Sequence, residues 1–367
     1  MNKINSVVFH INSLGRGGAE RVVSIIADRL VRDGVAVSII TLWQATDEYD
    51  IDDRIERINI EELCADKGYS GKQLAVMRFL TLRRLIKEKR PDIVISFCNK
   101  ANFRASIAML GMRVPLLTSV RNDPMKDYAP YKLPTFIMKL RANGCVFQTG
   151  DAMNYFGGRL AKSGRVILNP LHDKYVNCDT WQGKAGGYIM TAGRLSRQKD
   201  HELLICAYAN IANKYPNVDL RIYGEESEEG YGKKLRDYID EIDIAARVHL
   251  MGNSLHIEKE LAGAMCFVLS SDYEGMPNAL MEALAVGVPS ISTDCPCGGP
   301  ASLIVNNESG ILVPVGDVEA MTAALDKMLS DRMFRQSVSV ESVKLRNIAN
   351  ADRVYEMWKD YIRSVCR

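Results

Sequence analysis

The sequence predicts an α/β protein of two Rossmann-like domains facing a cleft, and three observations carry that prediction. Short apolar runs alternate with amphipathic helical patterns along nearly the whole chain, the arrangement of parallel strands with helices on both faces. The alternation comes in two series, separated by the stretch Leu171 to Gly187 with its three glycines, Asn177 and Asp179. A chain of 367 residues is also too long for one small core and suits two domains of ordinary size.

In chain order, strand-like runs fall at Val7–Ile11, Val35–Thr41, Ile93–Phe97, Leu116–Ser119, Cys145–Gln148 and Arg165–Leu168. Helical patterns at Ala19–Arg32 and Gln73–Lys89 lie between some of them. The second series has strands at Tyr188–Ala192, Asp219–Tyr223, Arg247–Met251, Cys266–Leu269 and Ser290–Thr293, with a helix over His201–Tyr215. A last helical pattern spans Asn350–Cys366, with Val354, Met357, Trp358 and Ile362 on one face. The expected parts are residues 1–172, 173–350 and 351–367. In such sheets ligands bind outside the carboxyl ends of the strands.

Composition narrows the function. Apolar residues make up 47% and charged residues 25%, as in an ordinary globular protein. No apolar run approaches the length of a membrane-spanning helix, and the opening residues Met1–Ser6 lack the pattern of a secretory signal, so a cytoplasmic protein is expected. The nine cysteines are scattered, several within apolar runs, which suits buried thiols in a reducing compartment. Cys295 and Cys297 have no second pair at metal spacing. The net charge of +2 conceals an asymmetry: 27 basic and 18 acidic residues up to Lys174, against 20 and 27 beyond it. A basic first half suggests an anionic partner. No aromatic-rich basic platform favours nucleic acid, so an anionic membrane surface or a phosphate-bearing acceptor fits better. The basic, amphipathic Val76–Arg90 segment is a candidate for that contact, besides being an ordinary packed helix.

The most informative motif is Asp272-Tyr273-Glu274-Gly275-Met276-Pro277-Asn278-Ala279-Leu280-Met281-Glu282. It follows a strand-like run, and Pro277 suits the first turn of a helix that stops at Gly287. The N–H groups of Met276 to Ala279 would then face an anion such as a diphosphate, flanked by Glu274 and Glu282. A solvated acidic loop is the plainer reading of the same residues. In Gly193-Arg194-Leu195-Ser196-Arg197-Gln198-Lys199, Arg194 and Lys199 can both reach phosphate oxygens across a turn. Gly15-Arg16-Gly17-Gly18 lies between the first strand and the first helix, where glycines let backbone approach a ligand. Its spacing is not that of a dinucleotide site.

Together with Gly17 to Val22, Pro91 to Phe97, Leu168-Asn169-Pro170 and Gly310 to Pro314, these segments resemble the family 4 retaining glycosyltransferases of the GT-B fold, in the same order and over nearly the whole chain. The resemblance implies a last helix that crosses back to the first domain, an acceptor-binding first domain and a nucleotide-sugar-binding second one. It implies transfer of a hexose or N-acetylhexosamine from a nucleotide sugar, a UDP-sugar foremost, to a glycan acceptor, lipid-linked, in cell-surface polysaccharide synthesis. Such an enzyme would sit at the inner face of the cytoplasmic membrane. Glu274 would contact the transferred sugar and Glu282 the ribose. Gly275, Met276, Pro277, Asn278 and Ala279 would line the donor, and Gly224 and Asn253 would lie near the base. Gly15, Gly17 and Gly18 would face the diphosphate and acceptor. Where relatives often carry a histidine after the fourth strand, this chain has Arg121, which cannot serve as a base but can bind an acceptor phosphate.

For glycosyl transfer the main demand is charge stabilisation on the leaving diphosphate, which Arg194, Lys199 and the helix N-terminus would supply. The one Asp-x-Asp, Asp50-Ile51-Asp52, lies in a polar first-half segment and reads as a solvated loop, so neither a metal nor any other cofactor is expected. A UDP-sugar 2-epimerase of the same fold and a catalytically silent sugar-nucleotide binder are the competing readings.

Overall fold

The computed structural model describes residues 4–183 and 187–366. The expectations at Met1–Lys3 and at residues 184–186 of the linker lie outside them. The chain divides into two compact units, Met1–Pro170 with Ala351–Arg367, and Leu171–Asn350.

The first unit holds a seven-stranded parallel sheet of order β3-β2-β1-β4-β5-β6-β7. Its strands are β1 (Ser6–Ile11), β2 (Ala36–Thr41), β3 (Glu56–Asn59), β4 (Ile93–Phe97), β5 (Leu116–Ser119), β6 (Gly144–Phe147) and β7 (Arg165–Val166). The helices used below are α1 (Gly18–Arg32), α2 (Gly71–Lys89), α3 (Asn99–Ala108) and α4 (Lys132–Arg141). The central strands β4 and β5 are buried throughout because both faces are covered. The order reverses between β1 and β4, so the loops after these strands splay apart and open a crevice at the carboxyl edge.

The second unit repeats the plan in six strands of order β10-β9-β8-β11-β12-β13. These are β8 (Tyr188–Ala192), β9 (Asp219–Tyr223), β10 (Val248–Gly252), β11 (Cys266–Leu269), β12 (Ser290–Thr293) and β13 (Ile311–Val313). Helix α5 (His201–Ala212) follows β8, and α6 (Asn278–Val286) follows β11. Here the order reverses between β8 and β11.

The last helix, α7 (Ala351–Val365), belongs to the first unit. Val354, Tyr355, Trp358, Tyr361 and Ile362 form its buried face. Trp358 stacks on Phe97 of β4 with ring centroids 5.5 Å apart. The Tyr361 hydroxyl accepts from the Cys145 N–H at 2.9 Å and donates to the Ser163 carbonyl. Met357, expected on the inner face, is partly exposed, and Tyr361 fills the inward position.

Other expectations shift in instructive ways. The two missed strands, β3 and β13, lie at sheet edges; β3 carries Glu56 and Arg57, so no apolar run marks it. Strand β7 has only two residues, not the four of Arg165–Leu168. The stretch taken as a linker is packed: it contains a helical turn at Asp173–Val176, and buried Trp181 donates its indole N–H to Ala264. All nine cysteines are free thiols.

The core of the first unit carries a buried polar pair. His10 on β1 donates from Nδ1 to the Ile40 carbonyl at 2.8 Å, which leaves Nε2 to accept from Arg104 of α3 at 3.0 Å. Burial, then the Arg104 charge, push the His10 pKa down to about 3. The unfolded chain therefore binds this proton more tightly than the folded one. The resulting stability is complete above pH about 6.5 and is lost as pH falls toward about 3. Chemical-denaturation midpoints at pH 7 and 5 should accordingly drop less for His10→Gln, whose amide can still donate and accept, than for the unaltered chain. Equal drops would remove His10 from the acid sensitivity.

Candidate active site

The loops at the switch point of the second sheet hold most of the expected donor residues. After β8 the chain runs through Gly193 and Arg194 to Lys199 and Asp200. After β11 it runs from Ser270 to Pro277. The two loops are stitched directly. The Asp272 N–H donates to the Gln198 carbonyl at 2.9 Å, and the Gln198 amide to the Tyr273 carbonyl at 2.9 Å. The Ser270 hydroxyl donates to the Lys199 carbonyl at 2.8 Å.

This stitching brings Lys199 Nζ within 2.5 Å of Glu274 Oε1, with both side chains largely buried. The Ser271 hydroxyl donates to the same Oε1 at 2.7 Å, and the Ser271 carbonyl accepts from Thr293 Oγ1 at 2.6 Å. The carboxylate is therefore oriented by an ammonium and a buried hydroxyl, which fixes its rotamer and keeps it compensated away from water. Sequence reasoning missed Ser270, Ser271 and Thr293. Small hydroxyl residues at the ends of apolar strands are the available signal, since buried hydroxyls must find partners.

Gly275 and Pro277 lie close beneath the Gly299 turn: a Cβ on Gly299 would overlap the Gly275 carbonyl. Pro277 is the N-cap residue of α6, one position before the first-turn placement expected of it, and no side chain caps the helix. The first-turn N–H groups of α6, which begin at Asn278, thus receive no side-chain bond from the cap position. Glu282, within the same helix, is buried. Gly287 ends α6 at φ 86°, a left-handed conformation suited to glycine.

Arg194 has an exposed side chain, but its carbonyl is held. His201 Nε2 lies 3.3 Å from the Arg194 carbonyl and donates to it. Burial lowers the His201 pKa to about 4, so the ring is neutral at pH 7. Asp200 sits in the left-handed region at φ 40° and caps α5 through its side chain to the Leu203 N–H. A non-glycine residue held there marks a site where the loop path is imposed by its surroundings.

Gly224 and Asn253 follow β9 and β10. The Gly193 N–H donates to Tyr223, and the Gly224 N–H to Gly252, both at 2.9 Å. Gly224 has φ 142°, and a Cβ on it would overlap the Gly193 carbonyl. Asn253 is exposed.

In the first unit, the Gly15–Gly18 loop is pinned by Glu48, whose Oε1 accepts from Leu14 at 3.2 Å and Ala45 at 2.9 Å. Gly17 is the N-cap residue of α1, and a Cβ there would overlap the Glu20 carboxylate. That carboxylate occupies the positive end of the helix dipole. Cys98, at the end of β4, is held at φ 69°. Arg121 is turned inward. Its guanidinium lies 4.7 Å from the Phe97 ring centroid and 5.7 Å from that of Trp358, and Nη1 donates to Asn169 at 2.9 Å. Nε and Nη2 are enclosed without hydrogen-bond partners. Burial lowers the Arg121 pKa to about 10, leaving it cationic at neutral pH. The Asp50-Ile51-Asp52 carboxylates do not form a metal set: Asp52 is bound by Arg54 at 2.8 and 2.7 Å. Among the described residues no cluster of three His, Cys, Asp or Glu side chains is arranged to hold a metal.

Gly224→Ala should therefore destabilise the second unit by about 2 kcal/mol or more, through overlap at Gly193 and a disfavoured φ. Denaturant midpoints test this, and an unchanged midpoint would mean the loop can move aside.

Comparisons with known proteins agree with this fold. Residues 183–344 match the family described as glycosyl transferases group 1, and residues 16–143 match glycosyltransferase family 4. A Campylobacter jejuni relative is 26% identical, over 100% of this chain and 99% of its own length. It is an α-1,4-N-acetyl-D-galactosaminyltransferase acting on GalNAc-α-(1→4)-GalNAc-α-(1→3)-diNAcBac-PP-undecaprenol. A lipopolysaccharide core biosynthesis glycosyltransferase of Rhizobium meliloti is 24% identical, over 89% of this chain and 90% of its own. Among solved structures, Anabaena HepE in complex with UDP superposes with a TM-score of 0.80 at 16% identity, covering 98% of this chain and 100% of that one. Sucrose-phosphate synthase from Thermosynechococcus elongatus gives 0.82 at 15% identity, covering 98% and 99%. The chain belongs to the glycosyltransferases of the GT-B fold, with a family 4 pattern in its first unit and a group 1 pattern in its second.

Proposed function

We propose that this glycosyltransferase is a retaining enzyme that moves a hexose or N-acetylhexosamine from a UDP-sugar to a lipid-linked glycan acceptor during cell-surface polysaccharide synthesis. The observation that carries the reading is the buried Lys199–Glu274 pair beside the uncapped N-terminus of α6, at the switch point of the second sheet. The UDP bound by the Anabaena neighbour and the undecaprenyl diphosphate acceptor of the Campylobacter relative support the choice of donor and acceptor classes.

In this reading the donor diphosphate lies over the first turn of α6, within reach of Arg194 and Lys199. Charge builds on its leaving oxygen as the glycosidic bond breaks, and preorganised cations and N–H groups stabilise that charge without reorganisation. Glu274 takes hydroxyls of the transferred sugar through Oε2, while Oε1 stays with Lys199 and Ser271. Glu282 takes the ribose hydroxyls. Gly275, Met276, Asn278 and Ala279 line the diphosphate, and Gly224 and Asn253 border the base. No enzyme nucleophile is assigned: retention follows front-face attack, the donor phosphate taking the acceptor proton. In the first unit the Gly15–Gly18 loop suits acceptor hydroxyls better than a diphosphate, because the Glu20 carboxylate already lies against Gly17. Arg121 supports the floor of that crevice through Phe97, Trp358 and Asn169, and reaches an acceptor phosphate only after its side chain turns. The enzyme works at the inner face of the cytoplasmic membrane. No helix among the described residues is long and apolar enough to cross a membrane.

Arg194→Ala is the cleanest test, since its exposed side chain contributes little to packing. It should lower kcat/KM by roughly 10²-fold or more, the scale of a lost transition-state charge contact. Lys199→Ala should lose at least as much activity and also stability, because Glu274 is left buried without its counter-ion. Wild-type turnover in Arg194→Ala would overturn the diphosphate assignment. A new sugar nucleotide formed without acceptor would instead identify a 2-epimerase.

Activity in excess EDTA should equal that without it, since cations and helix N–H groups take the place of a metal in this reading. Loss restored by a divalent ion would overturn it. A product of inverted anomeric configuration by NMR would overturn retention.

A further inference from the structure

We propose that helix α4 is a docking face that seats its apolar stripe among the headgroups of an anionic bilayer. Thr135 and Met138 are its buried residues, and the Thr135 hydroxyl donates to the Tyr128 carbonyl at 3.1 Å. On the opposite face Leu133, Phe136 and Leu140 are 67, 57 and 64% exposed. Their spacing of three and four residues sets them in one row. Tyr131, the residue before α4, and Met125, 60% exposed on the short helix Pro124–Asp127, are exposed as well. So dense a cluster of large apolar side chains in water signals a contact surface.

Charge identifies the partner. Lys132 and Lys139 share one flank of the row, and Lys126 adjoins Met125. From Met125 to Arg141 the only acidic residue is Asp127, whose carboxylate accepts from the Asn122 amide. Apolar side chains with basic neighbours and no exposed acid complement an anionic headgroup layer. A second copy packed face to face would set these lysines against each other.

The surface is also preformed. Arg159 Nη2 donates to the carbonyls of Lys139, Leu140 and Ala142 at 2.7 to 2.9 Å. Arg141 reaches Met109, Met112 and Val114. Both arginines anchor the C-terminal end of α4, so docking needs little ordering.

The basic segment Val76–Arg90 is a poorer candidate than its sequence suggests. Arg83 donates to the Ala108 and Leu110 carbonyls at 2.7 Å, and Arg84 lies 3.8 Å from Glu88. With Lys87 and Arg90 these residues line a shallow groove, whose lining carries one large apolar side chain, Leu80, instead of a row. The proposal deepens the lipid-linked acceptor reading, on which it rests for the presence of a membrane.

The test is co-sedimentation of the full chain with vesicles of phosphatidylcholine, alone or with phosphatidylglycerol. Three proteins are compared: wild type, Leu133→Gln/Phe136→Gln/Leu140→Gln, and Arg84→Glu/Lys87→Glu. All substituted positions are surface ones, and circular dichroism checks folding. Wild type should bind the anionic vesicles and release them in high salt. The α4 triple variant should lose about tenfold or more in partitioning, and Arg84→Glu/Lys87→Glu should lose much less. A Phe136→Trp variant should show a blue-shifted emission on anionic vesicles only. If the triple variant binds like wild type while the α2 variant does not, the α4 proposal falls and the membrane reading stands. If wild type binds neither vesicle, both fall. A wild-type dimer in lipid-free solution that the triple variant converts to monomer would assign the stripe to a second copy and overturn the proposal.

Discussion

An ammonium and a carboxylate held 2.5 Å apart, largely out of water, are the constraint around which the second unit is arranged. Neither charge is tolerable there alone. The pair forms only if the loop after β8 and the loop after β11 run side by side, which the Gln198 and Ser270 hydrogen bonds enforce. It also needs the end of β12, because Thr293 holds the Ser271 carbonyl while Ser271 holds Glu274. Three strand ends thus converge on one carboxylate. The switch in strand order supplies the space beside it, and the uncapped start of α6 supplies an electropositive wall.

The first unit solves a related problem differently. Its buried cations have no carboxylate among the partners that hold them. Arg104 rests on the neutral imidazole of His10 and on Asn12, while Arg121 rests on two aromatic faces and Asn169. Imidazole, amide and π acceptors solvate a guanidinium without neutralising it. The Glu20 and Glu48 carboxylates lie instead along the glycine loop of this unit.

Most of the fold was legible because parallel strands buried on both faces are written as apolar runs. Tyr188–Ala192, Cys266–Leu269 and Ile93–Phe97 are strands with the bounds expected of them. The edge strand β3 escaped because Glu56 and Arg57 interrupt it, and β13 because three residues make too short a pattern. The candidate site was legible where it depends on residue types with few other uses at those positions. The glycines at 193, 224 and 287, and the Glu274 to Glu282 spacing, are of this kind. What the chain did not disclose was pairing. Lys199 and Glu274 were each visible, but their contact depends on loop paths set by backbone hydrogen bonds, for which serine and threonine are weak indicators. Arg121 was visible as a cation, while the direction of its guanidinium depends on Trp358, far away in sequence.

That remote tryptophan has a consequence for how the protein is made. Residues 171–350 form a continuous unit that can close its core as soon as it has left the ribosome. The first unit cannot do so. Its opening 170 residues must wait, with Phe97 and the Cys145 amide uncovered, until α7 follows the whole of residues 171–350. The half of the enzyme synthesised first is thus the half completed last. A ribosome that stops between Asn350 and Trp358 leaves behind a sticky, half-built domain attached to a finished one.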